Sequence, residues 1–198
     1  MLSPQYTDDL IEAGCDEAGR GCLAGPVVAA AVILPKGYQH PILNDSKKLS
    51  KAQRDEVRRD IINDSLAYCV AEVDNVEIDR INILKASFKA MHLAIKELSI
   101  TPQFLLIDGN RFPKYSDIPH ACIVKGDGKY CAIAAASILA KTYRDELMEQ
   151  FAQKYPGYGW EKNMGYGTKA HKAALEKLGV TPLHRKTFAP VSGQLELF

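Results

Sequence analysis

The chain has 198 residues, enough for one domain or for one domain with a small appendage. Hydrophobic residues make up 46% and charged residues 25%, a globular balance that excludes a disordered or fibrous protein. A formal net charge of +1 excludes a histone-like, purely electrostatic nucleic-acid binder, though not a local basic face.

The first nine residues hold no basic stretch followed by an apolar core, so no secretory signal is expected. Residues 10–15 form a short apolar segment that runs into Asp16 and Glu17. After a glycine-rich turn, residues 26–34 read as a buried strand, stopped by Pro35 and Gly37. This longest apolar run is far short of the roughly 20 residues that span a bilayer, so no membrane association is expected. Ser50 caps a charged helix with Arg54, Glu56, Arg58, Arg59 and Asp60 on its wet face. Residues 66–73 read as a third strand. Ile81, Leu84, Phe88, Met91 and Ile95 recur at helical spacing and predict one helix over residues 76–98, ended by Pro102. Residues 104–107 form a short strand that delivers Asp108, and residues 121–124 form another. Residues 131–155 predict a long helix, rich in Ala at first and charged later. The order predicts a mixed sheet with helices on its faces.

A C-terminal lobe is expected to begin near Pro156. Residues 154–190 carry seven Lys or Arg against Glu161 and Glu176. Tyr155, Tyr158, Trp160, Tyr166 and Phe188 lie among these charges. Cations interleaved with aromatics suit nucleic acid, though they also describe a solvated face over a small core. The five Cys (15, 22, 69, 122, 131) are scattered, with no C-x-x-C pair. Reduced thiols in a cytoplasmic protein are expected. His171 and His184 have no acidic partner at ligand spacing and read chiefly as structural.

Three acidic sites each follow a strand-like run: Asp16-Glu17, Asp108 and Asp127. Strands of one sheet can gather such ends although they are far apart in sequence. Clustered carboxylates repel unless a cation compensates, and hard oxygen ligands suit Mg²⁺ or Mn²⁺. Two such ions can activate a water and stabilise a leaving oxygen on a phosphodiester. Acids also cap helices and close turns, and Asp127 between Gly126 and Gly128 fits that use as well. The segment Gly19-Arg-Gly-Cys-Leu-Ala24 matches the dinucleotide fingerprint in letters. Pro26 and a β-branched run follow it where that motif needs a helix. Glycines that let backbone amides approach a sugar-phosphate fit better.

The motifs Asp16-Glu-Ala-Gly-Arg-Gly21 and Leu23-Ala-Gly-Pro-Val-Val28 resemble the opening of the bacterial ribonuclease HII family. Asn44-Asp-Ser-Lys-Lys-Leu49, Ile107-Asp-Gly109, Val124-Lys-Gly-Asp127 and Ala134-Ala-Ala-Ser-Ile-Leu-Ala-Lys141 follow in the family's order. Arg144-Asp145, Gly165-Tyr-Gly-Thr168 and His184-Arg-Lys-Thr-Phe188 complete a match over about residues 10–190. The resemblance implies an α/β, ribonuclease H-like fold: a five-stranded mixed sheet flanked by helices, with a small C-terminal helical segment. With the change of character near Pro156, it implies a catalytic domain over residues 1–155 and a helical substrate-binding segment over 156–190, and residues 191–198, beyond the family's motifs, are expected to form a flexible tail.

The same resemblance implies hydrolysis of the RNA strand of RNA–DNA hybrids and incision 5′ of single ribonucleotides in duplex DNA. The products would carry 5′-phosphate and 3′-hydroxyl ends, and the incision would start ribonucleotide excision repair. Divalent metal ions, Mn²⁺ or Mg²⁺, would be held by Asp16, Glu17, Asp108 and Asp127. Asp145 is an alternative fourth carboxylate. It sits within the long helix, where Arg144 or Lys141 would pair with it, and Asp127 is preferred. Gly19, Arg20 and Gly21 would read the ribose 2′-hydroxyl and the next phosphate. Ser46, Lys47 and Ser137 would hold phosphates. Tyr166 would pack on the following deoxyribose, where a ring favours the sugar lacking a hydroxyl. The rival readings are a non-catalytic binder of RNA–DNA duplexes and another ribonuclease H-like nuclease such as ribonuclease HIII. A pure binder gains nothing from buried acids facing phosphates, and ribonuclease HIII usually adds an N-terminal domain. A monomer is expected.

The last residues include Gln194-Leu-Glu-Leu-Phe198. They resemble the short peptide by which bacterial replication and repair proteins grip the DNA sliding clamp. Gln194, Leu195, Leu197 and Phe198 would be the gripping residues, with Ser192-Gly193 as slack. Folding of the three apolar side chains onto the core is the alternative.

Overall fold

The computed structural model describes residues 1–195; residues 196–198 lie outside the description, and of Gln194 and Leu195 only the backbone is described. The strands are β1 (Glu12–Ala18), β2 (Val27–Ile33), β3 (Ala67–Val73), β4 (Phe104–Asp108) and β5 (His120–Ile123). They form a five-stranded sheet in the order β3-β2-β1-β4-β5. β1 to β3 pair antiparallel, while β4 runs parallel to both β1 and β5. The sheet is therefore mixed, as expected. The helices are α1 (Lys51–Asp64), α2 (Asn75–Ile81), α3 (Ile83–Lys96), α4 (Cys131–Lys154), α5 (Trp160–Asn163), α6 (Lys169–Leu178) and α7 (Val191–Leu195). Among the described residues, no helix is long and apolar enough to cross a membrane.

β2 is apolar throughout because both of its faces are covered. Val27, Ala29, Ala31 and Ile33 join the core beneath α2 and α3. Val28, Ala30 and Val32 join the core beneath α1 and α4. Each fully buried Val or Ile here contributes about 1.5–3 kcal/mol. The alanines keep the layers thin. A side chain at Gly14 would stand 2.2 Å from the backbone of Ala132, so only glycine lets α4 lie directly on β1. That approach brings Ser137 of α4 over the end of β1.

Ser50 caps α1 in a reciprocal capping box with Gln53. The single helix expected over residues 76–98 is instead two, broken at Asn82. Asn82 has φ +70°, ends α2 through its N–H to Ile78, and starts α3 by accepting from the Lys85 amide. Asn tolerates positive φ and caps well, and neither property disturbs the apolar spacing.

The C-terminal segment packs on the loop between β1 and β2. Backbone hydrogen bonds join Leu23 to Gly165 (2.8 Å), Gly25 to Leu183 (2.9 Å) and Arg185 to Leu23 (2.8 Å). The basic and aromatic segment folds as a charged surface over a small core. Trp160 and Tyr158 are buried in a small core with Ala24 and Met148. Arg185 is buried as well. Of the five aromatics, only Tyr166 is well exposed, at 42%. Val191, counted from sequence as tail, is buried with Leu23 and Leu175. All five cysteines are free thiols.

Candidate active site

Parallel pairing of β1 with β4 places Ile107 beside Cys15, so Asp16 and Asp108 leave neighbouring strands together. Strand alternation then divides the adjacent acids. Asp16 lies on the α4 side beside Ser137, and Glu17 lies on the α3 side beside Arg20. The Asp108 carboxylate accepts from the Gly126 amide at 2.7 Å, which ties the end of β4 to the 3₁₀ turn carrying Asp127. A cleft of about 540 Å³ opens over these ends.

The cleft gathers Asp16, Glu17 and Asp108 with Gly19, Arg20, Gly21, Ser46, Lys47, Ser137 and Tyr166. Asp127 does not line it. It stands at the edge, where Lys47 Nζ lies 4.0 Å from its carboxylate. Asp145 is held by Lys141 at 2.5 Å within α4. Two further residues near the acids lie outside the expected site residues. Lys141 lines the cleft, and Asp45 crowds Asp127. Both lie inside motifs that carried the resemblance, which was the signal available for them.

The acids are held uncomfortably. Burial pushes the Asp16 carboxyl well up, and repulsion from Glu17 and Asp108 adds to it. Burial raises Glu17 and Asp108 adds to this, while Arg20 at 3.1 Å opposes the rise. Burial, Asp45 and Asp108 raise Asp127, against Lys47. Asp16 has no ion-pair partner among the described residues and is 5% exposed. Such a crowd of hard oxygen donors fits a divalent cation. Among the described residues, no three such side chains already form a closed metal cage, so the fit is one of donor chemistry and charge.

The glycine loop is set by two buried arginines. Arg185 donates to the carbonyls of Gly19 (2.7 Å), Arg20 (2.8 Å), Gly25 (3.0 Å) and Pro26 (3.1 Å). Arg144 donates to Ala24 (3.0 Å), Pro26 (2.9 Å) and Met164 (2.7 Å). In a trans peptide the carbonyl and the next N–H point opposite ways. Turning the Gly19 and Arg20 carbonyls inward therefore turns the Arg20 and Gly21 amides outward, on a loop that lines the cleft. No helix starts at these glycines; β2 follows, which removes the dinucleotide reading.

His171 and His184 are structural. Trp160 Nε1 donates to His171 Nε2 (3.0 Å), which fixes that nitrogen as an acceptor. His171 Nδ1–H then donates to the Tyr166 carbonyl at 3.0 Å. The Thr181 amide donates to His184 Nδ1 at 2.9 Å, which leaves His184 Nε2–H facing His171 Nε2 at 3.2 Å, where it shares that nitrogen's lone pair with Trp160. Ser46 and Ser137 are buried on the cleft floor, hydroxyl to hydroxyl at 3.1 Å. Gln194 and Leu195 end α7, while Leu197 and Phe198 lie outside the described residues.

The sheet order and its helices are those of the type 2 ribonucleases H. The crystal structure of ribonuclease H2 from Pyrococcus horikoshii OT3 matches with a TM-score of 0.78 at 27% identity, covering 94% of this chain and 97% of that one. The ribonuclease HII in the PCNA:RNase HII complex from Archaeoglobus fulgidus matches with a TM-score of 0.77 at 24% identity, over 95% of this chain and 100% of that one. The family model for ribonuclease HII matches residues 13–191. Ribonuclease HII of Bacteroides thetaiotaomicron is 60% identical over 198 residues, 100% of this chain and 99% of the relative. The chain belongs to the ribonuclease HII family. It is a ribonuclease H, an endonuclease acting on RNA–DNA hybrids.

Proposed function

We propose that this cleft hydrolyses the RNA strand of RNA–DNA hybrids and incises 5′ of single ribonucleotides in duplex DNA, so starting their excision. The convergence of Asp16 and Asp108 from two parallel strands beside the glycine loop and Tyr166 carries this reading. Asp16, Glu17, Asp108 and Asp127 would hold two divalent ions, Mg²⁺ or Mn²⁺. When bound, such ions supply an activated water and charge to offset the leaving oxygen. Water attacks phosphorus and the bond to the 3′-oxygen breaks. That oxygen leaves as a 3′-hydroxyl, and the phosphate stays on the 5′ end.

The remaining roles belong to the chain. The outward amides of Arg20 and Gly21 hydrogen-bond the 2′-hydroxyl and the following phosphate oxygen. Lys47, with the Ser46 and Ser137 hydroxyls, holds the phosphate in register. The Tyr166 ring packs on the next deoxyribose. Residues 1–155 form the catalytic part and residues 156–190 brace the loop that reads the substrate. We further propose that Gln194, Leu195, Leu197 and Phe198 bind the sliding clamp. The Archaeoglobus relative forms a complex with PCNA, which favours this reading.

Asp108→Asn tests the cleft. Cleavage of a duplex carrying one ribonucleotide should fall to background while the affinity for that duplex stays within a few-fold. Undiminished cleavage would overturn the assignment.

A further inference from the structure

On the α3 side of the sheet, the cleft does not end at Glu17. A hollow of about 240 Å³ shares Glu17, Arg20 and Asp108 with it and adds Arg111 and Phe88. A groove of about 450 Å³ shares Phe88 with that hollow and runs along α3 as far as Lys96. Phe88 therefore stands between the hollow beside the acids and the groove that reaches Lys96.

The groove combines two kinds of side chain. Lys85, Lys89, His92 and Lys96 recur at spacings of four, three and four residues, one face of α3. At 1.5 Å per residue they form a stripe about 16 Å long. Between them lie the half-buried rings of Phe88, His92 and Tyr115. His92 meets Phe112 and Tyr115 edge-on at 5.0 and 5.1 Å, so the rings form a fixed surface.

The cationic charge is only partly cancelled locally. Lys85 has no ion-pair partner among the described residues. Lys89 meets Glu77 at 2.7 Å, but Arg80 already holds Glu77 at 2.6 Å. Lys96 meets only the exposed Glu97, at 3.7 Å.

We propose that this groove binds an unpaired nucleic-acid strand that continues out of the cleft. A duplex hides its base faces and would use the lysines alone. An unpaired strand uses both features, phosphates on the lysines and bases or sugars on the rings. An acidic peptide would also meet the lysines, but a groove that adjoins a nuclease cleft through Phe88 favours the strand. The inference rests on the cleft being the cleavage site, and a blunt substrate tests that separately.

The experiment uses the full chain and one cleavable hybrid, either blunt or with an unpaired oligothymidine extension of about ten nucleotides at each end in turn. The wild type should show a lower KM with the extension at one end. Lys85→Ala with Lys96→Ala should abolish that gain and leave kcat and KM on the blunt hybrid unchanged. The salt dependence on the extended hybrid should fall by a slope of roughly 1.4 for two single-strand phosphate contacts. An extension that tightens neither end overturns the proposal. So does a double variant that weakens blunt and extended hybrids alike. Competition by polyglutamate but not by free oligothymidine would likewise overturn it, in favour of an acidic protein partner.

Discussion

Tyr166 is fixed at its backbone and open at its ring. Its amide donates to Asn163 and its carbonyl accepts from Thr168, both at 2.8 Å, and from His171. The Arg144 guanidinium lies 6.0 Å from the ring centre. The fixed backbone thus presents the ring to the cleft, as a sensor of sugar shape requires. Tyr166→Ala should lower incision at a single ribonucleotide at least about tenfold more than cleavage of a long hybrid, a difference of roughly 1.4 kcal/mol. Tyr166→Phe should keep the selectivity, because packing on the sugar needs the ring and not the hydroxyl. Both substrates assayed side by side give the answer. Equal losses on the two substrates with Ala would remove the junction role.

Among the elements, those with local signals were legible in the sequence. The apolar run of β2, the Ser50 cap and the Ala-rich start of α4 each state their structure within a few residues. The strand-end acids were legible because a sheet gathers strand ends whatever their separation in sequence. The break at Asn82 was not, since a capping Asn at positive φ leaves the helical spacing intact. Nor was the burial of Trp160 and Arg185. Their partners include the loop of residues 19–26, more than a hundred residues upstream, and Arg185 is by type a surface residue in a basic segment. The last element also decides how the clamp proposal can be tested. Val191 anchors α7 against Leu23 and Leu175, so a deletion must spare it. Removal of residues 194–198 should leave hydrolysis of a hybrid unchanged and abolish retention on immobilised sliding clamp. Retention at the wild-type level would discard the proposal.

At the scale of the molecule, a net charge of +1 conceals opposed regions. Asp16, Glu17, Asp108 and Asp127 subtract charge at the cleft, and the lysines along α3 and in the C-terminal segment restore it. The region joining the two halves is neutral instead, and it titrates. His171 and His184 are fully buried, and every ring nitrogen already has its partner. A proton added at His171 Nε2 meets the Trp160 and His184 N–H groups, and one added at His184 Nδ1 displaces the bond from the Thr181 amide. Burial, with His171 close by, pushes His184 down to about 4, and burial also lowers His171. In the unfolded chain both titrate near 6.5. Between those values the unfolded chain binds protons that the folded chain refuses, so stability falls as pH falls. The contribution is complete above about 6.5 and its loss is finished below about 4. For His184 alone this amounts to about 2 kcal/mol between pH 7 and pH 5. The raised carboxyls of Asp16, Glu17 and Asp127 act with the opposite sign, so a wild-type curve alone mixes the two. His184→Gln separates them, because its amide does not titrate while the carboxylates are unchanged. Urea unfolding at pH 7 and pH 5 should show the wild type losing about 2 kcal/mol more than the variant across that interval. The two proteins losing stability in parallel would mean that the His171–His184 pair is not held neutral in the fold.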